Sequence, residues 1–265
     1  MNFIYRMLFH VSVLKTLYIN FRCLPMKMAI KLPILVGNRV SLKGMRKGAI
    51  KLNGMVRPFC IRLGLENDFS IYPNKREYSM LRCEKNSCIH ICPGPRGGKI
   101  LNGFSITNRG NIYIGKNFVM NQHCTIYCRK EIRFGDYNRV GWNCQFLDTD
   151  LHCVYNINTN RISNPIGKVN LGNNVWIASG CSIMKNSEIP DFSIVASGSL
   201  VNKSFANVES VGNFFAGSPA KLKATGVVRI LKEDFQNKVM RQFSKTGAEF
   251  MEMDADFDLK NYCKD

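Results

Sequence analysis

A short acidic stretch that ends in histidine, Asp148–His152, carries the residue types best suited to chemistry in this sequence. In an extended chain alternate side chains point to the same side, so Asp148, Asp150 and His152 would share one face. Carboxylates beside an imidazole can raise its basicity and orient the ring, which suits a general base. A surface turn rich in aspartate is the alternative, and composition alone favours it. The choice depends on where the stretch lies in the fold.

Aliphatic or aromatic side chains recur at every sixth position on both sides of this stretch. Downstream they are Leu171, Ile177, Ile183, Ile189, Val195 and Val201. Upstream they are Ile114, Met120, Ile126 and Ile132 and, after a skip, Phe134, Val140 and Phe146. Neither a helix nor a half-buried strand has a period of six, so the spacing indicates a stacked repeat. It predicts a parallel β-helix, in which each coil buries these side chains against the next coil.

His152 falls on the next inward position of this repeat, six residues after Phe146. A histidine where the core needs an apolar side chain indicates that the coil opens there. The asparagine-rich segment that follows agrees with a loop at 153–168. This position favours a catalytic histidine over an ordinary surface turn.

The repeat also divides the chain into segments. In chain order we predict an amphipathic helix (1–30), a β-helix domain (31–223) with irregular coils and loops (31–99) and regular coils (100–203), and a C-terminal helix and tail (224–265).

Three features together resemble a known family. They are the hexapeptide coils with Asp148–His152 before a loop, the Val-Trp-Ile run at 175–177, and the Ala-Gly-Ser-Pro-Ala-Lys run at 216–221. They look like the left-handed β-helix (hexapeptide-repeat) acyltransferases over roughly 100–223. Within that family, this sequence most resembles the O-acetyltransferases of bacterial capsule, lipopolysaccharide and exopolysaccharide synthesis. The resemblance implies a mainly β fold, a left-handed parallel β-helix with short terminal helices, assembled as a homotrimer.

The resemblance also implies a reaction, in which an acetyl group moves directly from acetyl-CoA to a sugar hydroxyl. His152 would be the general base, and the backbone N–H of Ser179 would stabilise the oxyanion. No metal is expected. The positions that the family uses for the coenzyme correspond to Ala178, Ser179, Ser197, Lys203 and Lys221.

On the acceptor side, the family's positions correspond to His123, Asn143 and Trp176. His123 stands where several relatives have an asparagine, and packing between coils is an equal alternative for Trp176. Two other functions remain open: N-acyl transfer to an amino sugar or nucleotide sugar, and a non-catalytic scaffold of a glycan-assembly complex.

The formal net charge of +18 indicates an anionic partner, although a solvated basic surface accounts for part of it. No nucleic-acid partner is expected. The basic, apolar segment 1–30 is predicted either to lie on an anionic membrane or to pack on the end of the solenoid. We therefore expect a cytoplasmic protein that acts beside the inner face of the membrane.

The eleven cysteines fit reduced, buried thiols better than a disulfide framework, because many of them occupy small inward positions of the repeat. Cys88, His90 and Cys92 would share one face of a strand, so a metal site is conceivable there. The paired Cys-x-x-Cys element of zinc sites is missing, and a structural role is favoured.

Overall fold

The computed structural model describes residues 10–65, 77–253 and 263, and most of these residues form one parallel β-helix. Its helices are α1 (Val13–Cys23), α2 (Met26–Ala29) and α3 (Glu233–Thr246). Its strands are β1 (Ile34–Val36), β2 (Val40–Lys43), β3 (Ile50–Leu52), β4 (Ile61–Leu63), β5 (Ser79–Cys83), β6 (Cys88–Ile91), β7 (Gly98–Ile100), β8 (Ser105–Asn108), β9 (Asn111–Ile114), β10 (Val119–Met120), β11 (Thr125–Cys128), β12 (Glu131–Phe134), β13 (Arg139–Val140), β14 (Gln145–Leu147), β15 (Val154–Asn156), β16 (Arg161–Ser163), β17 (Lys168–Leu171), β18 (Trp176–Ile177), β19 (Ser182–Ile183), β20 (Ser187–Ile189), β21 (Ile194–Val195), β22 (Leu200–Val201), β23 (Phe214–Gly217) and β24 (Ala220–Ala224).

Three sheets form the faces of a prism. Sheet 1 has the order β1-β4-β7-β10-β13-β18-β21-β23-β24, sheet 2 the order β2-β5-β8-β11-β14-β19-β22, and sheet 3 the order β3-β6-β9-β12-β17-β20. Successive strands in each sheet pair in parallel, except that β23 and β24 form an antiparallel hairpin at the end of sheet 1. Each coil therefore satisfies its backbone hydrogen bonds on the coils above and below it.

The sixfold spacing follows from this geometry. Ile126 pairs with Ile106 on one side and with Phe146 on the other, a spacing of twenty residues per coil. Ile183 pairs with Val201, a spacing of eighteen. Sheet 3 strands turn two side chains inward, as β12 does with Ile132 and Phe134. The twenty-residue coils are longer because Ile132 follows the inward Ile126 of sheet 2 by six residues, whereas its equivalent Ser187 follows Ile183 by only four. This accounts for the skip in the sequence repeat.

The segment 77–99, where the repeat is irregular, still forms regular strands. Strands β5, β6 and β7 continue the three sheets. Cysteine replaces aliphatic side chains at some inward positions here, such as Cys83, which obscures the repeat. His90 points outward and stacks on Tyr113 with ring centroids 4.6 Å apart. In the part of the chain that the structure describes, no three histidine, cysteine or acidic side chains come close enough to hold a metal ion.

Helix α1 covers the first coil. Asn20 is completely buried and holds both backbone groups of Ile34: its Nδ2 donates to the Ile34 carbonyl (2.7 Å), and its Oδ1 accepts from the Ile34 N–H (3.1 Å). The Thr16 hydroxyl accepts from the Val36 N–H (3.1 Å). Two side chains one helical turn apart thus take the place of a neighbouring strand on the open edge of β1. Over the described residues, no helix is long and apolar enough to cross a membrane.

We expect Asn20→Ala to destabilise the protein, because both backbone groups of Ile34 would be buried without partners. A buried unsatisfied group costs about 1–3 kcal/mol, so the midpoint of urea denaturation should fall clearly. Leu14→Ala on the same helix is the control, since Leu14 is 82% exposed. Equal midpoints for the two variants would contradict this function of Asn20.

Candidate active site

Several of the predicted site residues lie on one edge of the prism, the 1–2 edge, where turns connect sheet 1 to sheet 2. The third residue of each turn has a positive φ, which glycine and asparagine adopt most readily. These residues are Gly103 (76°), His123 (60°), Asn143 (55°), Gly180 (73°) and Gly198 (70°). The edge therefore places His123 and Asn143 in one column with the glycines of later coils.

Hydrogen bonds connect consecutive turns of the 1–2 edge. Asn143 N–H donates to the Gln122 carbonyl (3.1 Å), Gly180 N–H to the Trp142 carbonyl (2.8 Å), and Gly198 N–H to the Ser179 carbonyl (3.0 Å). Inside the edge, Cys124, Cys144 and Cys181 each donate a thiol hydrogen to a backbone carbonyl of the next turn. The sulfur–oxygen distance is 3.1 Å in each of the three bonds. The edge is consequently rigid on its inner side.

The predicted coenzyme residues divide into two groups. Among the acceptors in the described residues, none receives the backbone N–H of Ser179 or of Ser197, so both can donate to a ligand. The N–H of Ala178 already donates to the Val195 carbonyl (2.9 Å) and is not available. Ala178 can therefore only contact a ligand on this edge.

The two predicted phosphate-binding lysines lie apart. Lys221 pairs with Ala216 in the β23–β24 hairpin, and Gly217 N–H donates to the Ser199 hydroxyl (3.2 Å), so the hairpin extends the 1–2 edge by one level. Lys203 follows β22 on the edge between sheets 2 and 3, with its ammonium 5.1 Å from the centre of the Phe205 ring. Only Lys221 is thus close to the column of Ser179 and Ser197.

Asp148 is buried and turned into the prism. Its carboxylate accepts the backbone N–H groups of Arg129 (2.6 Å), Lys130 (2.7 Å) and Glu131 (2.8 Å). These contacts fix the turn that connects β11 to β12 in the coil before it. Asp148 therefore holds this turn in place, and none of its described hydrogen bonds goes to His152.

Asp150 holds the base of the loop that follows β14. Its carboxylate pairs with the Lys185 ammonium at 2.5 Å, and the same ammonium donates to the Asn164 carbonyl (2.7 Å). The Asp150 N–H donates to the Pro165 carbonyl (2.8 Å). The two ends of the loop are thus fastened together, and Asp150 lies two residues before His152.

His152 itself is exposed at the start of this loop, directly after Leu151, whose φ is 64°. The loop continues into the β15–β16 hairpin, which is exposed along its whole length. Strand β14, about 10 Å long at 3.3 Å per residue, separates the edge that carries this loop from the 1–2 edge. His152 is predicted to group with Asp148 and Asp150, which are its neighbours in sequence. In the structure each of these two carboxylates has a partner other than His152.

Sequence reasoning missed a polar network at His123. Its Nε2 lies 3.0 Å from a Glu77 carboxylate oxygen, and the other oxygen accepts from Asn102 Nδ2 (3.0 Å). Gln122 Nε2 donates to Asn102 Oδ1 (2.9 Å). Asn102 and Gln122 occupy equal positions of consecutive turns, so the spacing of twenty residues could have found them. Glu77 follows a segment without a repeat and carries no such signal.

The tryptophan on the 1–2 edge is Trp142, and the predicted Trp176 lies elsewhere. The indole nitrogen of Trp142 is buried, and within the described residues no acceptor receives its hydrogen. Trp176 is on the outer face of sheet 1, where the Arg229 guanidinium lies 4.9 Å from the centre of its ring. Trp142 occupies the same position of its turn as Gln122 does one coil earlier. This equivalence could have revealed from the sequence that Trp142 lies on the 1–2 edge.

No protein-family model and no curated protein sequence matches this chain. Its fold does match solved structures. One is the polysialic-acid-specific acetyltransferase NeuO, with a TM-score of 0.51, 14% identity, and coverage of 82% of this chain and 99% of NeuO. Another is the polysialic acid O-acetyltransferase OatWY (TM-score 0.37, 18% identity, 79% and 94% coverage). A third is a variant of the N-acyltransferase AntD from Bacillus cereus, in complex with dTDP and coenzyme A (0.44, 13%, 80% and 88%).

The similarity to NeuO establishes the fold. The chain has the left-handed parallel β-helix of the hexapeptide-repeat acetyltransferases, and the predicted fold class is confirmed.

We expect Asp148→Asn to lower stability, because the new amide NH₂ would face backbone N–H groups that need an acceptor. The loss is on the order of 1–3 kcal/mol, the usual cost of leaving buried donors unsatisfied. Thermal unfolding monitored by circular dichroism measures it. Asp150→Asn is the control, since the Asp150 carboxylate is partly exposed and pairs with one side chain, Lys185, whereas that of Asp148 is buried and accepts three backbone N–H groups. A folding stability equal to that of the parent would contradict the role of Asp148 in this turn.

Proposed function

We propose that this protein transfers an acetyl group from acetyl-CoA to a sugar hydroxyl during surface polysaccharide synthesis. The observation that carries the proposal is the composition of the 1–2 edge. It combines unpaired backbone N–H donors (Ser179, Ser197), a buried indole N–H (Trp142) and polar side chains (His123, Asn143) on a rigid backbone. Such a row of donors along one edge suits ligands that carry amide oxygens and hydroxyl groups, as acetyl-CoA and a sugar do.

Acetyl-CoA would lie along the later turns of the 1–2 edge. The N–H groups of Ser179 and Ser197 are one coil apart, about 4.8 Å along the axis, and can donate to the amide oxygens of the pantetheine arm or to the thioester oxygen. Ala178 would line the arm. Lys221, at the end of the edge, would meet the coenzyme phosphates as a point charge. Lys203 would reach a phosphate only from the neighbouring edge.

The reaction would need no acyl-enzyme. His152 takes the proton from the sugar hydroxyl as its oxygen attacks the thioester carbonyl, and the Ser179 N–H stabilises the resulting oxyanion. Collapse of the tetrahedral intermediate releases the coenzyme thiolate, which takes the proton from the imidazolium. The cysteines inside the edge are unsuited as nucleophiles. A hydrogen bond with Cys124, together with burial, raises the pKa of the Cys144 thiol to about 12.

The remaining site residues would position these groups. Asp148 would shape the turn next to the loop, and Asp150 would orient His152 indirectly by fastening the loop through Lys185. His123, held by Glu77, and Asn143 would contact the acceptor sugar, with Trp142 beside them. For Trp176, contact with Arg229 favours packing on sheet 1 over a direct role with substrate.

The site would be completed in a homotrimer. Within one chain, His152 and the 1–2 edge belong to different edges of the prism. The β15–β16 hairpin also exposes large apolar side chains, among them Ile157 (77%) and Ile162 (66%), which a neighbouring copy would cover. An assembly that brings the loop of one chain to the 1–2 edge of the next satisfies both observations.

A reducing compartment agrees with this function. Most of the described cysteines are buried inside the coils, where they fill small inward positions, as reduced thiols do. We place the enzyme in the cytoplasm, at the inner face of the membrane.

His152→Ala should lower the turnover of acetyl transfer about 10²-fold or more, the usual contribution of a general base. Binding of coenzyme A should remain, because the coenzyme contacts lie on another edge. The measurement combines thiol release from acetyl-CoA with mass spectrometry of the acetylated glycan. His90→Ala is the matched control, since His90 stacks on Tyr113 on the outer face of sheet 3, away from both the loop and the 1–2 edge. Turnover at the parental rate in His152→Ala would exclude the histidine as base.

The proposed homotrimer leads to a separate prediction. Light scattering at micromolar concentration should give three times the mass of the chain. Co-expression of His152→Ala chains with Trp142→Ala/Asn143→Ala chains should restore part of the activity, because some sites then combine an intact loop with an intact edge. A fully active monomer, or no restoration in mixed trimers, would show that the site lies within one chain.

A further inference from the structure

The positive charge of this protein is concentrated at one end. Residues 1–65 contain twelve lysines and arginines and no acidic residue, whereas the remaining chain contains 25 basic and 19 acidic residues. Because the coils stack in chain order, the described part of this acid-free segment, residues 10–65, forms the end of the prism that α1 and α2 cover. A field of one sign over one end attracts a flat or extended anionic partner there.

Helix α1 also presents an apolar stripe on the side opposite to the first coil. Its buried side, with Ile19 and Asn20, faces β1. The outer side consists of residues spaced by three or four, as on one face of a helix. These are Val13 (66% exposed), Leu14 (82%), Leu17 (38%), Tyr18 (47%) and Phe21 (47%). The stripe continues past α1 with Met26 (64%) and Ile30 (67%).

Basic side chains border this stripe. Arg22, Lys27 and Lys31 are exposed on and after α1, and Arg39 and Lys43 are exposed on the adjoining first coil. Such a face matches a membrane surface with anionic lipids, where apolar side chains enter the boundary of the acyl chains and cations meet headgroup phosphates. A nucleic acid or an acidic glycan would neutralise the charges but leave the apolar stripe in water.

We propose that the outer face of α1, from Val13 to Phe21 with Met26 and Ile30, docks on an anionic bilayer and holds the β-helix upright. The helix would lie in the plane of the headgroups. The coils would then rise from the membrane one above another, since the hydrogen bonds between coils run along the axis of the prism.

This orientation sets the height of the candidate site. Along sheet 1, β13 is four strands beyond β1, which corresponds to about 19 Å at 4.8 Å per strand. The thickness of α1 adds about 10 Å. His152, which follows the coil of β13, would thus lie roughly 25–30 Å above the docking surface. If the proposed acetyl transfer is correct, the acceptor is a carrier-linked glycan several sugars long, and the sugar next to the lipid is out of reach.

Vesicle flotation tests the docking. The full-length protein is mixed with vesicles of phosphatidylglycerol and phosphatidylcholine, or of phosphatidylcholine alone, and centrifuged through a density gradient. Leu14→Ser/Phe21→Ser removes two side chains from the stripe. Met240→Ser/Phe250→Ser is the matched control, since it removes two exposed apolar side chains (66% and 77%) outside the acid-free end. Circular dichroism and unfolding temperature verify that both variants are folded.

We expect the parent to float with the anionic vesicles and not with neutral ones. The stripe variant should lose at least about tenfold in partitioning, because two large apolar side chains no longer enter the lipid, and the control should keep it. Three results would overturn the proposal: no flotation of the parent, parental flotation of the stripe variant, or equal losses in both variants. The second would mean that the acid-free end binds polyanions by charge alone.

Activity then separates this inference from the proposed function. The stripe variant should acetylate a soluble oligosaccharide at the parental rate but transfer several-fold less to a glycan on a lipid carrier in vesicles. Equal parental rates on both acceptors would refute the upright placement at the membrane. Flotation without any transfer by the parent would refute the enzyme and leave the docking intact.

Discussion

The hydrogen bonding between coils constrains every other part of this molecule. A strand in the prism finds its backbone partners only in the coils before and after it, so each coil must repeat the outline of its neighbour. Inward positions are therefore filled mainly by Ile, Val, Leu, Phe and Cys, and the third residue of each turn on the 1–2 edge must accept a positive φ. Outward and edge side chains escape this restriction. Most of the candidate functional residues lie at these outward and edge positions, and the inward Asp148 is an exception.

This constraint explains which features the sequence could predict. Equivalent residues of consecutive coils lie twenty or eighteen positions apart, so the parallel β-helix and its core follow from spacing, whereas its left hand is predicted from the family resemblance. His123 and Asn143 could be assigned to one column for the same reason. Asp148 illustrates the limit. Its side chain turns inward to hold the backbone of the previous coil, and the alternation of a strand does not apply at a corner. Glu77 reaches His123 from outside the repeat, and no spacing encodes it.

The two ends of the prism have to be closed by other means, because the first and last coils have a neighbour on one side only. At one end, Asn20 and Thr16 imitate a strand with side-chain groups, and at the other β24 turns back as an antiparallel partner. Helix α1 thus serves the stability of the coils with one face. Its opposite face has no structural task in the described chain, and its apolar side chains and the basic residues around it are available for a partner.

The loop that carries His152 leaves the prism without disturbing it. Strand β12 pairs with β17 in full register, and Gly167 N–H donates to the Asp148 carbonyl (2.7 Å), so the chain re-enters where it departed. The entropy of closing a loop grows only slowly with its length. Insertions, deletions and exchanges between the two fastened ends therefore cost the coils almost nothing. Such a joint lets the loop that carries His152 change in length and sequence while the coils and the 1–2 edge keep their structure.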